Sequence, residues 1–209
     1  MTGDDSETNE LMARARAGDT AAQQMLLERF RARLCRMVAV RLDRRLASRL
    51  DPADVVQEAI FEASQCLAQY LEERPLPFYP WLRRLTWKRL VKLHHRHLGA
   101  QKRSVGREER SLPLPDESAM ELAERLVEPG TSPSHRAVRE EMRGRVQAAL
   151  RRLPEPDQEV LVLRFLEQLS TSEIAAVLET TEGAVKTRQT RALDRLGRFL
   201  GRDPRRSDS

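Results

Sequence analysis

The sequence predicts an all-α protein made of two small helical domains joined by a flexible linker. Its composition favours helices, since 33% of the 209 residues are charged and only 4% are aromatic. Apolar residues recur at helical spacing through most of the chain. This periodicity fails over residues 100–135, where Gly, Pro, Ser and acidic residues accumulate. The predicted domains are therefore residues 10–99 and 136–200, with residues 100–135 as the linker.

Four helices are predicted in the first domain. They cover residues 11–17, a long stretch after Gly18-Asp19, residues 52–72 and residues 78–98. The start of the third helix is the clearest. Asp51 suits the N-cap, Pro52 suits the first helical position, and Asp54 lies beside the positive end of the helix dipole. In the second helix, Met25 is predicted to lie on the apolar face.

The second domain has the pattern of a helix-turn-helix. Ser170 and Glu173 form a capping box before an apolar run, and a second helix begins near Glu182. On that helix the apolar positions are Val185, Ala192 and Leu196, whereas Lys186, Thr187, Thr190 and Arg191 fall on another side. A short helix with cations and hydroxyls away from its core stripe suits the DNA major groove. A helical bundle with a solvated basic face is the alternative, and periodicity alone does not separate the two.

Charge is unevenly distributed along the chain, whose net charge is +5. Residues 81–110 hold ten Lys and Arg against two acidic residues, a net charge of +8. Residues 111–135 hold one Arg against five acidic residues, a net charge of −4. Residues 182–206 hold eight basic residues against three acidic ones, a net charge of +5. Two basic blocks separated by an acidic spacer indicate two contacts with one polyanion.

Other features exclude several classes of protein. Cys35 and Cys66 lie in apolar-periodic segments, which predicts core thiols in a reducing compartment. No apolar run approaches the roughly 18 residues of a membrane span, and the acidic N-terminus is unlike a signal peptide. A cytoplasmic protein without membrane contact is therefore predicted. The sequence has no Gly-rich phosphate loop and no nucleophile elbow, so neither an enzyme nor a bound cofactor is predicted.

Two blocks of the chain resemble sigma-70 family RNA polymerase sigma factors of the extracytoplasmic-function (ECF) type. Residues 54–61, DVVQEAIF, and 78–85, FYPWLRRL, are similar to motifs of sigma region 2. The segments that begin at Leu153, Leu169 and Glu182 (LPE, LSTSEIA and EGAVKTR) are similar to region 4. Each block alone is weak, because region-4-like helix-turn-helix units occur in many regulators. Both blocks in the family's order, with a family-like linker, are a specific signal.

The resemblance implies a role for each block. For the helix at residues 52–72, the resemblance implies docking on the coiled-coil clamp helices of core RNA polymerase, through Asp54, Gln57, Glu58 and Phe61. The next helix implies recognition and melting of the promoter's −10 element, through Trp81, Arg84, Trp87, Lys88, Arg89, Lys92 and Arg96. The last helix implies recognition of the −35 element, through Lys186, Thr187, Arg188, Thr190 and Arg191.

Physical interpretation of these residues leaves alternatives open. Aromatic rings among cations are typical of single-stranded DNA binding, since bases stack on rings while cations follow phosphates. Trp81 is equally well interpreted as a core anchor, and Asp54 as a helix cap. Lys88 and Lys92 also depart from the family pattern, which commonly has Asn and Asp there. This departure predicts more phosphate affinity and fewer base-reading side chains. His94, His95 and His97 are better interpreted as phosphate contacts or solvated groups than as metal ligands.

Three alternatives to a sigma factor were weighed. A helix-turn-helix regulator that acts without polymerase explains the second domain but not residues 54–61 or the Trp–Arg helix. An enzyme has no supporting motif. A purely structural helical adaptor does not need basic charge concentrated on two helices. The sequence therefore predicts a transcription initiation factor with core RNA polymerase and promoter DNA as partners. The resemblance adds an anti-sigma factor as an expected partner, although no residue in the sequence identifies one.

Overall fold

The computed structural model describes residues 2–42, 50–98, 112–127 and 136–201. Within these ranges all regular elements are helical and no strand occurs, which confirms the predicted all-α fold. The chain divides into two compact units, Met1–Leu112 and Pro113–Ser209. Most of the predicted linker lies outside the described residues. Its described part, residues 112–127, contains a helix that packs within the second unit.

The first unit holds five helices among its described residues. They are α1 (Thr2–Arg16), α2 (Thr20–Arg29), α3 (Arg31–Arg41), α4 (Pro52–Glu73) and α5 (Phe78–Leu98). Asp19 caps α2, since its carboxylate accepts the Ala22 backbone N–H at 3.0 Å and a bond from Arg14 at 2.8 Å. These two donors lower the pKa of Asp19. Gly18 precedes the cap with φ of +90°, a conformation that favours glycine.

Phe30 interrupts the long helix that the sequence predicts after Gly18. Its backbone, with φ −98° and ψ −1°, separates α2 from α3. Its ring is buried against Phe78 and Tyr79, at centroid distances of 5.5 and 5.7 Å. Burying such a ring contributes about 1.5–3 kcal/mol, which offsets the backbone bonds lost at the break. The prediction for Met25 is wrong, because α2 buries Ala22, Leu26 and Leu27 and leaves Met25 52% exposed.

Helix α4 begins where the sequence predicts and ends one residue later than predicted. The Asp51 carboxylate accepts the Ala53 backbone N–H at 2.8 Å, and Pro52 occupies the first helical position. The helix ends at Arg74, which adopts the left-handed conformation with φ of 42° and donates its N–H to the Tyr70 carbonyl. Local sequence signals therefore account for the start of this helix, and its end lies at the residue before Pro75.

The core of the first unit forms where α2, α3, α4 and α5 meet. Its largest fully buried apolar side chains are Leu26, Leu34, Met37, Leu67, Leu82 and Leu90. Cys35 and Cys66 lie at the margin of this core as half-buried free thiols. Burial raises the pKa of both thiols, so both are protonated at neutral pH.

The described part of the second unit is also helical. Its elements are α6 (Asp116–Leu126), α7 (Arg136–Leu150), α8 (Glu155–Leu161), a π-helical turn (Val162–Leu166), α9 (Thr171–Val177) and α10 (Glu182–Gly201). Helix α6 buries Leu122 and Ala123 and packs on α7 and the π-helical turn. Two ion pairs hold its ends: Glu124 pairs with Arg143 of α7, and Asp116 pairs at 2.7 Å with Arg151, the residue that follows α7. This helix lies within the predicted linker, residues 100–135, but it belongs structurally to the second unit.

Candidate nucleic-acid interface

One face of α4 carries four exposed side chains, named here the α4 patch: Asp54, Gln57, Glu58 and Phe61. The opposite face of the helix is buried through residues such as Val56, Ala59 and Ala63. Phe61 is 65% exposed although it is a large apolar side chain. The structure thus brings together the four residues that the sequence predicts for polymerase docking, on a surface that a partner could reach.

Two arginines from neighbouring helices contact the α4 patch. Arg31 donates to the Gln57 side-chain oxygen at 2.6 Å and also pairs with Glu28 at 2.6 Å. The Arg31 guanidinium lowers the pKa of Glu28. Arg89 of α5 forms an ion pair with Glu58. Sequence reasoning missed both contacts, because they join residues 26 and 31 positions apart and leave no local signal.

Trp87 lies inside the first unit. Its side chain is only 9% exposed, and the guanidinium carbons of Arg41 and Arg83 lie 5.4 and 5.5 Å from its ring centroid. Both arginines are themselves buried, at 1% and 5% exposure. These distances are typical of cation–π contacts, which strengthen when the cation is removed from water. In this structure the Trp87 ring is therefore packed against its own domain and is not presented to a nucleic-acid base.

Trp81 is half-buried and belongs to an aromatic cluster. Its ring stacks on Tyr70 at a centroid distance of 4.3 Å and lies 5.6 Å from Phe78. The Tyr70 hydroxyl donates to the Leu76 carbonyl at 2.9 Å, and burial raises the pKa of Tyr70 to about 12. The cluster joins the end of α4 to the start of α5. The core-anchor interpretation of Trp81 therefore has direct contacts to support it.

The exposed cations of α5 follow a single line along the helix. This line is named here the α5 stripe: Arg84, Lys88, Lys92 and Arg96. Side chains four positions apart share one helix face. Arg89 lies beside the stripe, turned toward Glu58 and half-buried. His94 is buried and His95 is exposed, and the side chain of His97 lies outside the described residues. Of the seven residues predicted to contact the −10 element, four form this stripe.

The helix-turn-helix begins with the predicted capping box. The Ser170 hydroxyl accepts the Glu173 backbone N–H at 3.2 Å, and the Glu173 carboxylate accepts the Ser170 N–H at 2.8 Å. The apolar run of α9 buries Ile174 and Ala175. Glu179 has φ of 51° in the turn that follows, and the Thr181 hydroxyl accepts the Ala184 N–H at 3.2 Å. The sequence thus positions the start of α10 through local hydrogen bonds.

Helix α10 separates its buried and exposed sides cleanly. Val185, Ala192 and Leu196 are buried, as predicted. The other side is named here the α10 face and is fully exposed: Lys186, Thr187, Arg188, Thr190 and Arg191. The Thr190 hydroxyl donates to the Lys186 carbonyl at 3.1 Å. The three cations can bind phosphates or guanine edges, and Thr187 can bind either phosphates or bases.

An ion pair holds α10 on the core of the second unit. Arg195 pairs with Asp157 of α8, whose side chain is only 9% exposed. Sequence reasoning missed this contact, because Arg195 looks like one more cation of a basic helix. The pair removes one cation from the set that could bind DNA and orients the rest.

Two further sequence predictions can be compared with the described residues. The described residues contain no group of three or more His, Cys, Asp or Glu side chains that could hold a metal ion. None of the helices that the structure describes is long and apolar enough to cross a membrane.

Comparison with known proteins gives one consistent family. Residues 143–196 match sigma-70, region 4. The chain is 31% identical over 196 residues to the ECF RNA polymerase sigma factor SigD of Mycobacterium tuberculosis, covering 94% of this chain and 85% of that protein. It is 30% identical over 187 residues to the ECF RNA polymerase sigma-E factor of Escherichia coli, covering 87% of this chain and 88% of that protein.

A solved structure has a similar fold. CnrH in complex with the cytosolic domain of CnrY aligns with 94% of this chain and 99% of its own, with a TM-score of 0.52 and 24% sequence identity. The region 4 match falls on α7 to α10, and the two sequence relatives extend the similarity through the first unit. The chain therefore belongs to the ECF family of RNA polymerase sigma factors.

Proposed function

We propose that this transcription initiation factor binds core RNA polymerase through the α4 patch and promoter DNA through the α5 stripe and the α10 face. Phe61 is 65% exposed, and this exposure is the observation that carries the polymerase assignment. A large apolar residue between polar neighbours is typical of the centre of a protein–protein contact. Asp54 and Glu58 add negative charge, which suits a basic helical partner and fixes orientation.

The α5 stripe is the proposed contact with the −10 element. Its cations lie on one helix face, and cations so placed can follow the phosphates of a single or double strand. Trp81 and Trp87 take a different part in this proposal. Their contacts with Tyr70 and with Arg41 and Arg83 fix the position of α5, so that the stripe is presented by a rigid element.

The α10 face is the proposed contact with the −35 element. A cationic helix exposed after a capped turn has the geometry of a recognition helix in the major groove. Each of the two DNA contacts is small and basic, so we expect weak and nonspecific binding by the free protein. When both are held on polymerase, the second contact becomes effectively intramolecular and affinity rises. The cytoplasm, where RNA polymerase acts, is the compartment that this function requires.

A run-off transcription assay with purified core polymerase tests the proposal. We expect the protein to co-elute with core polymerase and to support initiation at a subset of genomic promoters. Asp54→Arg with Glu58→Arg should abolish co-elution, because it reverses the charge of the α4 patch. Phe61→Ala should weaken co-elution at least about tenfold, which is typical of a central apolar contact. Thermal unfolding should change only modestly, because all three side chains are exposed and the Asp54 dipole contact and the Glu58–Arg89 pair each contribute about 1 kcal/mol or less.

The matched control reverses two acidic residues at the other end of the same helix, Glu72→Arg with Glu73→Arg. Both are exposed and lie outside the α4 patch. This control should co-elute as the unmodified protein does. Unimpaired core binding by the Asp54 and Glu58 variant would rule out the α4 patch as the docking surface. Failure of the unmodified protein to support initiation at any promoter would overturn the proposed function itself.

A further inference from the structure

The second unit contains a cavity of about 620 Å³ between the end of α6, the first half of α7 and the π-helical turn. Four arginines line it, and we name it the arginine pocket: Arg125, Arg139, Arg143 and Arg164. Glu124 and the half-buried ring of Phe165 also line the cavity. It shares no residue with the α4 patch, the α5 stripe or the α10 face.

The arginine pocket concentrates positive charge in a concave site. Four guanidinium groups line the cavity with the carboxylate of Glu124, and Glu121 just outside it pairs with Arg125, so the site carries a net charge of +2. Clefts lined by one sign of charge focus the electrostatic field and raise the local concentration of an oppositely charged ligand. The charge of this cavity therefore selects for an anion.

Contacts with the protein hold the guanidinium groups in place. Arg125 donates to the Phe165 carbonyl at 2.9 Å and pairs with Glu121 at 2.7 Å. Arg164 donates to the Leu169 carbonyl at 3.1 Å. The Nε atom of Arg143 is buried without a hydrogen-bond partner. Since a guanidinium has five N–H donors, these bonds orient Arg125 and Arg164 and occupy only part of their donors.

The chain itself shows which anion these arginines recognise. On the rim of the cavity, Glu124 of α6 pairs with Arg143 of α7. At the start of α6, Asp116 pairs at 2.7 Å with Arg151, the residue that follows α7. Helix α6 is thus an acidic amphipathic segment that docks on α7 by burying apolar residues and pairing carboxylates with arginines. A second segment of the same chemistry fits the neighbouring arginine pocket.

We propose that the arginine pocket binds a segment of a partner protein in which two or more carboxylates flank an apolar side chain. Arginine forks bind carboxylates in a bidentate manner, and Phe165 with Val127 provides apolar surface for the flanking side chain. Phosphates of DNA share the charge but lack the apolar group, and a convex duplex suits a cavity of this size less well than a peptide does. The inference goes beyond the proposed function and does not depend on it.

Selection from a random peptide display library on the full-length protein tests this inference. We expect enrichment of sequences with Asp or Glu around Leu, Ile or Phe. Fluorescent synthetic copies of the enriched peptides should bind the double variant Arg139→Glu, Arg164→Glu at least about tenfold more weakly than they bind the unmodified protein. The reason is that two charged bonds are removed and two repulsions are added. The control Arg198→Glu reverses a single cation on α10, outside the pocket, and we expect less than about a twofold loss.

Three results would overturn the inference: no enrichment, equal binding of the peptides by the double variant, or enrichment of sequences without acidic residues. Competition with duplex DNA tests the remaining alternative, that the arginine pocket binds DNA phosphates. If DNA displaces the peptides, and the double variant binds DNA less well than the Arg198→Glu control does, the pocket is a DNA backbone contact. Circular dichroism verifies folding. If the double variant does not fold, Arg139→Gln and Arg164→Gln replace it, each with an expected loss of about threefold.

Discussion

Helices α5 and α10 are both rich in basic residues, yet the structure uses their cations in different ways. In α5, Arg83 is buried beside Trp87 and Arg89 pairs with Glu58. The cations of the α5 stripe are exposed. In α10, Arg195 is the cation that pairs with the core, through Asp157, and the α10 face is exposed along its whole length. Two helices of similar composition therefore divide their cations differently between contacts inside the domain and an exposed surface.

The difference follows from how much of each helix is packed. Helix α5 packs on α3 and on α4 and buries about half of its residues in the core of the first unit. Helix α10 buries a narrow stripe of small and medium side chains, Val185, Ala192 and Leu196. A wide face then stays open. Substitutions in α5 should therefore divide into those that reduce stability and those that reduce DNA binding, whereas the α10 face should affect DNA binding alone.

Trp87→Ala should give the largest effect, a loss of about 3–5 kcal/mol in the free energy of unfolding of the first unit, as for other buried aromatic residues. The measurement is urea unfolding followed by circular dichroism. Lys88→Ala, at the exposed neighbouring position, is the matched control and should change stability by less than about 0.5 kcal/mol. If Trp87→Ala left stability unchanged but impaired promoter melting, the ring would act on bases and the contrast with α10 would fail.

Lys186→Ala with Arg191→Ala should weaken binding of the holoenzyme to promoter DNA, by about 1–3 kcal/mol for each side chain that contacts a base edge. For each side chain that contacts a phosphate, the slope of binding against salt should fall by about one. Titrations at several salt concentrations separate the two cases. Arg198→Ala, outside the α10 face, is the control. Unchanged promoter affinity in the double variant would show that this face is not the DNA contact.

Ser170→Ala should cost about 1 kcal/mol in the stability of the second unit, because it removes the capping box before α9. Both tryptophans, Trp81 and Trp87, lie in the first unit. Tryptophan fluorescence therefore follows that unit alone, whereas circular dichroism follows both. We expect the variant to shift the transition seen by circular dichroism and to leave the fluorescence transition in place. A shift in both signals would contradict the expectation that the two units unfold independently. Thr180→Ala, at an exposed position that follows the same helix, is the control.

The Glu58–Arg89 pair should give the smallest effect, a coupling of about 0.2–1 kcal/mol, because both side chains are partly exposed. A double-mutant cycle with Glu58→Gln and Arg89→Gln measures it, with fluorescence-detected unfolding of the first unit as the signal. The coupling should decrease as salt is added. Lys88→Gln in place of Arg89→Gln should show no coupling with Glu58. If Glu58 and Arg89 showed no coupling, Arg89 would count with the cations of the α5 stripe as a candidate DNA contact.

Local signals predicted a large part of the fold. Asp51 and Pro52 start α4 as their residue types predict, and Ser170 with Glu173 starts α9. These predictions succeed because caps form between neighbours in sequence. The single helix predicted across Phe30 was wrong, since contacts with Phe78 and Tyr79 lie far along the chain and decide where that ring is buried.

The sequence by itself determined the helical class, the family and the residues that form the exposed surfaces, because helical periodicity and motif spacing are local properties. Only the tertiary structure decided which cations are left for a partner. It buried Trp87 between Arg41 and Arg83, paired Arg89 with Glu58, and gathered four arginines around one cavity. The physical reason is that periodicity shows which face of a helix is polar, whereas ion pairs and burial depend on what the other helices place against that face.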